Sequence, residues 1–123
     1  MLNSPEAGAD GIAVFPMQKP QIDLDREIVK EIIKTILNYK NVDKVVLFGS
    51  RASATSRETS DIDIAIFAKP WSDKDTNMVK HLLDESVSTP LKFDVVHFGA
   101  VAKSALRRAI VTQGKVIYES RED

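Results

Sequence analysis

The sequence predicts an α/β domain in which one β-sheet is covered by helices. Apolar residues recur with helical spacing in some segments and form short continuous or alternating runs in others. The two kinds of segment alternate along the chain, and such alternation is typical of a sheet flanked by helices. The chain has 123 residues, enough for one domain with one hydrophobic core.

The first twenty residues differ in composition from the rest. Half of all the prolines and glycines lie in this stretch: Pro5, Gly8, Gly11, Pro16 and Pro20. We therefore expect an irregular N-terminal arm over residues 1–20, followed by the domain over residues 21–123. The apolar piece at residues 12–15 is a candidate for docking on the domain or on a neighbouring molecule.

The first half of the domain begins with the clearest helix. Apolar residues lie on one stripe over residues 24–37, charged residues cover the other side, and Asp23 or Asp25 is the expected cap. The apolar run at residues 45–48 predicts a buried strand. Gly49 and Ser50 end that strand, and a helix is expected to open at Ser50.

The second half continues the alternation. Strands are predicted over residues 61–67, 91–98 and 116–118. A helix should begin after Ser72, because Asp75 follows three residues later as in a capping box, and Thr89–Pro90 should stop it. Gly99 should precede a last helix, which Gly114 would end as a C-cap.

Two aspartates interrupt the second predicted strand. Asp61 and Asp63 alternate with isoleucines, although aspartate is depleted in strands and a buried charge is costly unless it is paired or bound to metal. Alternation places both carboxylates on one face, about 6.6 Å apart along the strand. They can therefore reach a single hard cation. Mg²⁺ is commonly held by one or two carboxylates together with substrate phosphates.

A third acid, Asp94, lies in another apolar strand. If that strand is a neighbour of the second one, three carboxylates converge, which suits phosphoryl chemistry with one or two metal ions. Asp94 could instead be the general base for an attacking hydroxyl. Both roles stay open from the residues alone.

The turn after the first strand suits a phosphate. Gly49 would let the backbone approach a ligand closely, Ser50 adds a hydroxyl, and a helix opening there would offer free N–H groups. Arg51 could neutralise phosphate charge. Gly49, Ser50 and Arg51 are therefore the predicted phosphate-binding residues.

The stretch GSRASATSRETSDID, residues 49–63, resembles the GSx10DxD signature of the polymerase-β-type nucleotidyltransferase superfamily. It is most similar to the minimal members, the MNT domains, and the resemblance extends from the helix at residue 24 to the strand at Val116. It implies a nucleotidyltransferase-like fold, with a small mixed sheet of about four strands flanked by helices. It also implies that Asp61, Asp63 and Asp94 form the catalytic, Mg²⁺-binding triad. The Gly-Ser loop would hold nucleotide phosphates, so Gly49 and Ser50, with Arg51 beside them, are the expected nucleotide-binding residues.

The resemblance further implies a Mg²⁺-dependent enzyme that transfers a nucleoside monophosphate, AMP from ATP, to a hydroxyl. Minimal members usually work beside a separately encoded HEPN-domain protein. In some pairs the MNT protein is an antitoxin that adenylylates a tyrosine of the HEPN toxin. A HEPN partner encoded nearby is therefore expected.

The connecting segment departs from the family pattern. Ser53, Ala54, Glu58 and Thr59 stand where many minimal members carry Arg, Gly, Pro and Gly. This change predicts weaker triphosphate binding. Two alternative functions therefore stay open. One is a catalytically weak or inactive subunit that binds nucleotide or partner. The other is a small-molecule nucleotidyltransferase whose acceptor site needs a second subunit, since 123 residues leave little room for an acceptor pocket.

The composition of the chain excludes several classes of protein and of binding site. The chain has no cysteine, which excludes a disulfide scaffold and a thiolate metal site. It has no membrane-length apolar run and no secretory signal pattern, so a cytoplasmic protein without membrane contact is expected. A formal net charge of −1 gives no reason to expect direct nucleic-acid binding. An apolar surface for a partner or a second copy is expected, so a homo-oligomer stays possible.

Overall fold

The structure, a computed structural model, describes residues 24–53 and 60–120, with Ser53 described by its backbone alone. The predicted N-terminal arm, including its apolar piece at residues 12–15, lies outside the described residues. So do Ala54, Glu58 and Thr59 of the connecting segment.

Helices and strands alternate along the described chain, as the sequence predicts. In order they are α1 (Arg26–Tyr39), β1 (Lys44–Phe48), α2 (Ser50–Ser53), β2 (Ile62–Phe67), α3 (Asp73–Ser86), β3 (Phe93–His97), a 3₁₀ turn (Phe98–Ala100), α4 (Ser104–Gln113) and β4 (Lys115–Glu119). None of the helices within the described ranges is long and apolar enough to cross a membrane.

The four strands form one mixed sheet in the order β3-β2-β1-β4. β1 runs antiparallel to both β2 and β4, whereas β2 and β3 run parallel. This arrangement confirms the predicted fold class, a small mixed sheet flanked by helices. It also makes β2 and β3 neighbours, which the prediction of converging carboxylates requires.

Several predicted boundaries shift. β2 begins at Ile62, so Asp61 lies just before the strand rather than in it. The third strand begins at Phe93 rather than at residue 91, because the N–H of Leu91 bonds to the Thr89 hydroxyl oxygen at 3.2 Å and closes a turn. Asp25 is the N-cap of α1, although its side chain makes no capping bond.

The last helix begins at Ser104, several residues later than Gly99 predicted, because residues 98–100 form the 3₁₀ turn. Arg107 stabilises this turn, since its guanidinium donates to the carbonyl oxygens of Phe98 at 3.0 Å and Val101 at 3.1 Å. Gly114 is the C-cap as predicted, but its φ of −70° is not left-handed. Glycine is needed there because a Cβ would collide with the Ile110 carbonyl oxygen and the Val46 side chain.

Different helices pack on the two faces of the sheet. The isoleucines of β2 pack beneath α1 and α3 in the larger core cluster, and all three are fully buried: Ile62, Ile64 and Ile66. The other face carries a smaller cluster beneath α4, in which Ala65 packs with Val46, Phe48 and Ile110. Because side chains alternate along a strand, Asp63 lies on the same face as Ala65.

Where β1 begins and β2 ends, a hydrogen-bonded network joins α1 to α3. The predicted capping box is present: the N–H of Asp75 bonds to Ser72 Oγ at 3.2 Å, and the N–H of Ser72 bonds to Asp75 Oδ2 at 2.9 Å. Asp75 also accepts bonds from the Tyr39 hydroxyl at 2.6 Å and from Lys40 Nζ at 3.0 Å. These long-range partners are not visible in the sequence.

Candidate functional site

Three carboxylates lie at the end of the sheet where β1 finishes and β2 and β3 start. Asp63 of β2 stands directly opposite Asp94 of β3 in the parallel pairing. Asp61 comes one residue before β2, on the face that Asp63 occupies. Asp61 and Asp94 are exposed, whereas Asp63 is half-buried between its neighbouring strands. The structure thus places the three predicted acids at the same end of the sheet.

The electrostatics of Asp63 reflect this crowding. Burial is the main cause that raises the pKa of Asp63 from 3.8 to about 6, and repulsion from Asp94 and then Asp61 raises it further. Like charges and low solvation both disfavour the ionised carboxylate. Burial and repulsion therefore destabilise the ionised form of Asp63. A bound cation would relieve this repulsion.

Gly49 follows β1 and contacts this acid directly. Its φ of +76° is left-handed, a conformation that side chains with a Cβ adopt at a cost. A Cβ built there would also collide with Asp63 Oδ2. Gly49 is consequently needed for two reasons at once, because the turn demands its backbone freedom and the Asp63 carboxylate fills the space beside it.

Ser50 opens α2 as predicted, and α2 is described over four residues, about one helical turn. Arg51, predicted to meet phosphate, is only 7% exposed. Its Nη2 donates to the carbonyl oxygen of Ser60 at 3.1 Å, one residue before Asp61. Arg51 therefore holds the segment that leads into the acidic pair. Its contact with phosphate stays a prediction, as do those of Gly49 and Ser50.

The donor set suits a hard divalent cation. Asp61, Asp63 and Asp94 offer only carboxylate oxygens, the ligands that Mg²⁺ prefers. Burial and the neighbouring acids raise the pKa of Asp63, so a cation bound beside it would stabilise its ionised form. Among the described residues, no group of three acidic, histidine or cysteine side chains is gathered into a ready-made metal site. Assignment of the three aspartates as ligands therefore stays a prediction that the chemistry of the donors supports.

Sequence reasoning missed two residues beside the site. Lys80 and Asp84 of α3 bond to the backbone of Phe93, the residue before Asp94. Their spacing of four residues is visible in the sequence as a helical ion pair. Their contact with β3 depends on how α3 packs against the sheet, and no sequence signal indicates it.

Comparison with protein families gives one finding. The sequence model described as "Polymerase beta, Nucleotidyltransferase" matches residues 30–123. That range includes all the acids of the site and every strand of the sheet. A comparison with curated protein sequences gave no match.

Several solved structures share the fold. The crystal structure of a toxin-antitoxin with AMP-PNP is 26% identical, covers 76% of this chain and 74% of its own, and superposes with a TM-score of 0.66. A tri-AMPylated Shewanella oneidensis HEPN toxin in complex with MNT antitoxin is 23% identical, covers 80% and 75%, and has a TM-score of 0.63. A minimal nucleotidyltransferase is 22% identical, covers 73% and 89%, and has a TM-score of 0.59.

Proposed function

We propose that this chain, which belongs to the polymerase beta nucleotidyltransferase family, transfers AMP from ATP to a hydroxyl group of a protein partner. Membership of the family makes it a nucleotidyltransferase. The choice of ATP, the need for Mg²⁺ and the nature of the acceptor are the parts that we propose.

The observation that carries the proposal is the pairing of Asp63 with Asp94 beside Gly49. Two carboxylates in register on neighbouring strands, with a third just ahead, form an oxygen-rich site next to a turn that has no side chain. A triphosphate could lie along that turn, because its oxygens could accept hydrogen bonds from backbone N–H groups there, beside the acids that would hold the metal.

In the proposed reaction, the acceptor hydroxyl attacks the α-phosphorus of ATP and pyrophosphate leaves. Asp61 and Asp63 would hold Mg²⁺, which when bound supplies charge neutralisation for the phosphates. Asp94 would complete the metal ligands or take the proton of the attacking hydroxyl. Ser50 and Arg51 would bind phosphate oxygens. The contribution of the chain is thus positioning of the reactants and neutralisation of charge.

We further propose that the acceptor is a tyrosine of a HEPN-type toxin and that this chain is its antitoxin, acting in the cytoplasm. The support is the likeness to the toxin-antitoxin structure with AMP-PNP, at 26% identity. The AMPylated HEPN toxin bound to MNT antitoxin suggests the same kind of product, although its likeness to this chain is one of fold.

Intact-mass spectrometry tests the proposal. The chain would be co-expressed with the protein encoded beside its gene, ATP and Mg²⁺ would be added, and both proteins would be weighed. We expect an AMP-sized increment on the neighbour, absent with Asp63→Asn. Lys30→Met is the matched control, because Lys30 lies on the exposed side of α1 in an ion pair with Glu27 and should leave the increment unchanged. Full labelling with Asp63→Asn would refute the assignment of the site.

The altered connecting segment favours a second candidate, a subunit that binds its partner without chemistry. Glu58 adds a negative charge close in sequence to the acids, which opposes triphosphate binding. Inhibition of the partner that persists with Asp61→Asn and Asp63→Asn combined would support this candidate. Loss of inhibition in that double variant would support the transferase.

A further inference from the structure

A closed ring of hydrogen bonds joins α3 to the start of β3. Asp84 Oδ1 accepts from the N–H of Phe93 at 3.0 Å, and Lys80 Nζ donates to the carbonyl oxygen of Phe93 at 2.6 Å. The ring is closed by Lys80 Nζ, which also donates to Asp84 Oδ2 at 2.9 Å. Both backbone groups of one residue are thus bound by one ion pair.

The location of this ring matters because β3 is an edge strand. On its inner side, the carbonyl oxygen of Lys92 accepts from the N–H of Ile62 at 2.9 Å, so β2 holds it there. On its outer side, no strand pairs with β3 within the described sheet. The pairing with β2 and the contacts on the outer side therefore share the task of fixing the register of β3, and a shift of one residue would turn Asp94 to the opposite face.

The peptide unit that Lys80 binds leads directly into Asp94. The carbonyl of Phe93 and the N–H of Asp94 belong to the same planar group, so fixing one fixes the other. The Phe93 side chain is 2% exposed and anchors the strand in the core from the opposite face. Together these contacts determine where the Asp94 carboxylate stands relative to Asp63.

We propose that Lys80 and Asp84 are positioning residues for Asp94, and that their ring with Phe93 sets the spacing of the acids across β2 and β3. This inference rests on the proposed function, because it assumes that Asp94 acts in the reaction. Neither residue touches the reactants. Each acts through the backbone of Phe93.

Lys80→Met tests the inference in the full-length chain with its partner. Methionine keeps most of the aliphatic stem of lysine but removes the donor. We expect kcat to fall about tenfold, because small displacements of reacting groups are costly, while KM for ATP stays within about twofold. The Mg²⁺ concentration for half-maximal transfer should rise. Lys80→Arg, which keeps donors, should recover most of the rate.

Two comparisons separate positioning from general stability. Lys30→Met removes an exposed ion pair within α1, in which Lys30 Nζ lies 3.8 Å from Glu27 Oε2, and should leave kcat unchanged. Amide hydrogen exchange, measured by NMR on the full-length chain, should speed up at Asp94 in Lys80→Met but stay unchanged in β4.

The outcomes distinguish the inference from the proposed function. Unchanged exchange at Asp94, or faster exchange with a wild-type kcat, would overturn the inference. Equal losses of kcat in Lys80→Met and Lys30→Met would overturn it as well. A wild-type chain that transfers nothing would count against the proposed function alone, and the exchange comparison would then decide the inference.

Discussion

At the two ends of the sheet, the pKa of a buried or half-buried aspartate is shifted in opposite directions. At the acidic end, defined by Gly49, Asp61, Asp63 and Asp94, the pKa of Asp63 rises to about 6 because burial and neighbouring carboxylates disfavour its charge. At the anchored end, defined by Tyr39, Lys40, Ser72 and Asp75, hydrogen bonds from Tyr39, Ser72 and Lys40 hold the pKa of Asp75 well below its usual range.

The difference separates a carboxylate that the fold stabilises from one whose charge the fold disfavours. Asp75 is 7% exposed, yet the Tyr39 hydroxyl, the Lys40 ammonium group and the backbone N–H of Ser72 satisfy its carboxylate within the fold. Asp63 is less buried and has acids for neighbours. A carboxylate that the fold leaves in this state weakens the protein unless something else binds it, so its role is expected outside folding.

The largest expected effect tests the acidic end. Asp63→Asn keeps the size of the side chain and removes its charge. We expect transfer of AMP to fall at least about 100-fold, the scale on which single electrostatic contributions to catalysis are lost. Thermal unfolding followed by circular dichroism should show a midpoint no lower than that of the wild type, because a disfavoured charge has been removed. A variant with full transfer would contradict the assignment.

The next effect tests the contact between Gly49 and Asp63. Gly49→Ala should cost about 1–2 kcal/mol from the left-handed backbone and should push the Asp63 carboxylate aside. We expect transfer to fall by roughly tenfold or more. Gly114→Ala is the matched control, because its Cβ collides with Ile110 and Val46 rather than with an acid. Both variants should unfold more easily, but only Gly49→Ala should lose rate measured well below its midpoint.

A third variant tests the anchored end. Asp75→Asn should lower the unfolding midpoint, since it removes a charge that three residues stabilise, while transfer at low temperature stays within about twofold of wild type. Because the pKa of Asp75 is depressed in the folded state, its stabilisation is present above its ordinary pKa and is lost as the pH falls below that value. The gap between the midpoints of wild type and variant should therefore narrow on acidification. A difference between the two midpoints that does not change with pH would contradict the stabilising role of the hydrogen bonds to Asp75.

The smallest expected effect is the pH dependence of stability that Asp63 causes at the acidic end. Its sign is opposite to that of the effect of Asp75. The folded protein binds more protons at Asp63 than the unfolded chain between about pH 4 and about pH 6, so stability should fall as the pH rises through this window. Since Asp63 is only half-buried, solvent screening reduces the effect to about 1 kcal/mol. Urea unfolding at several pH values should show the decline in wild type and its absence in Asp63→Asn.

More of the acidic end than of the anchored end can be predicted from the sequence, for a physical reason. The alternation of Asp61 and Asp63 with isoleucines is a local pattern, and it predicts which face the acids share. The pairing of Asp63 with Asp94 depends on the strand order, which local patterns leave open; the family resemblance implies only that Asp94 completes the triad.

The anchored end was predicted only as far as its local part. The capping box of Ser72 and Asp75 spans three residues and was recognised, whereas Tyr39 lies 36 residues from Asp75. The Lys80 contact with Phe93 was missed for the same reason, since it spans 13 residues and depends on packing. The role of Arg51 in holding Ser60 likewise arises from the fold of the turn.

The most direct test of this account is the response of both ends to a bound metal and nucleotide. The unfolding midpoint would be measured as Mg²⁺ is added with α,β-methylene ATP, whose bridging carbon prevents transfer. We expect the midpoint to rise in the wild type and in Asp75→Asn, by similar amounts, and not in Asp63→Asn. An equal rise in Asp63→Asn would show that the acids do not bind the metal and nucleotide, and would contradict the central claim.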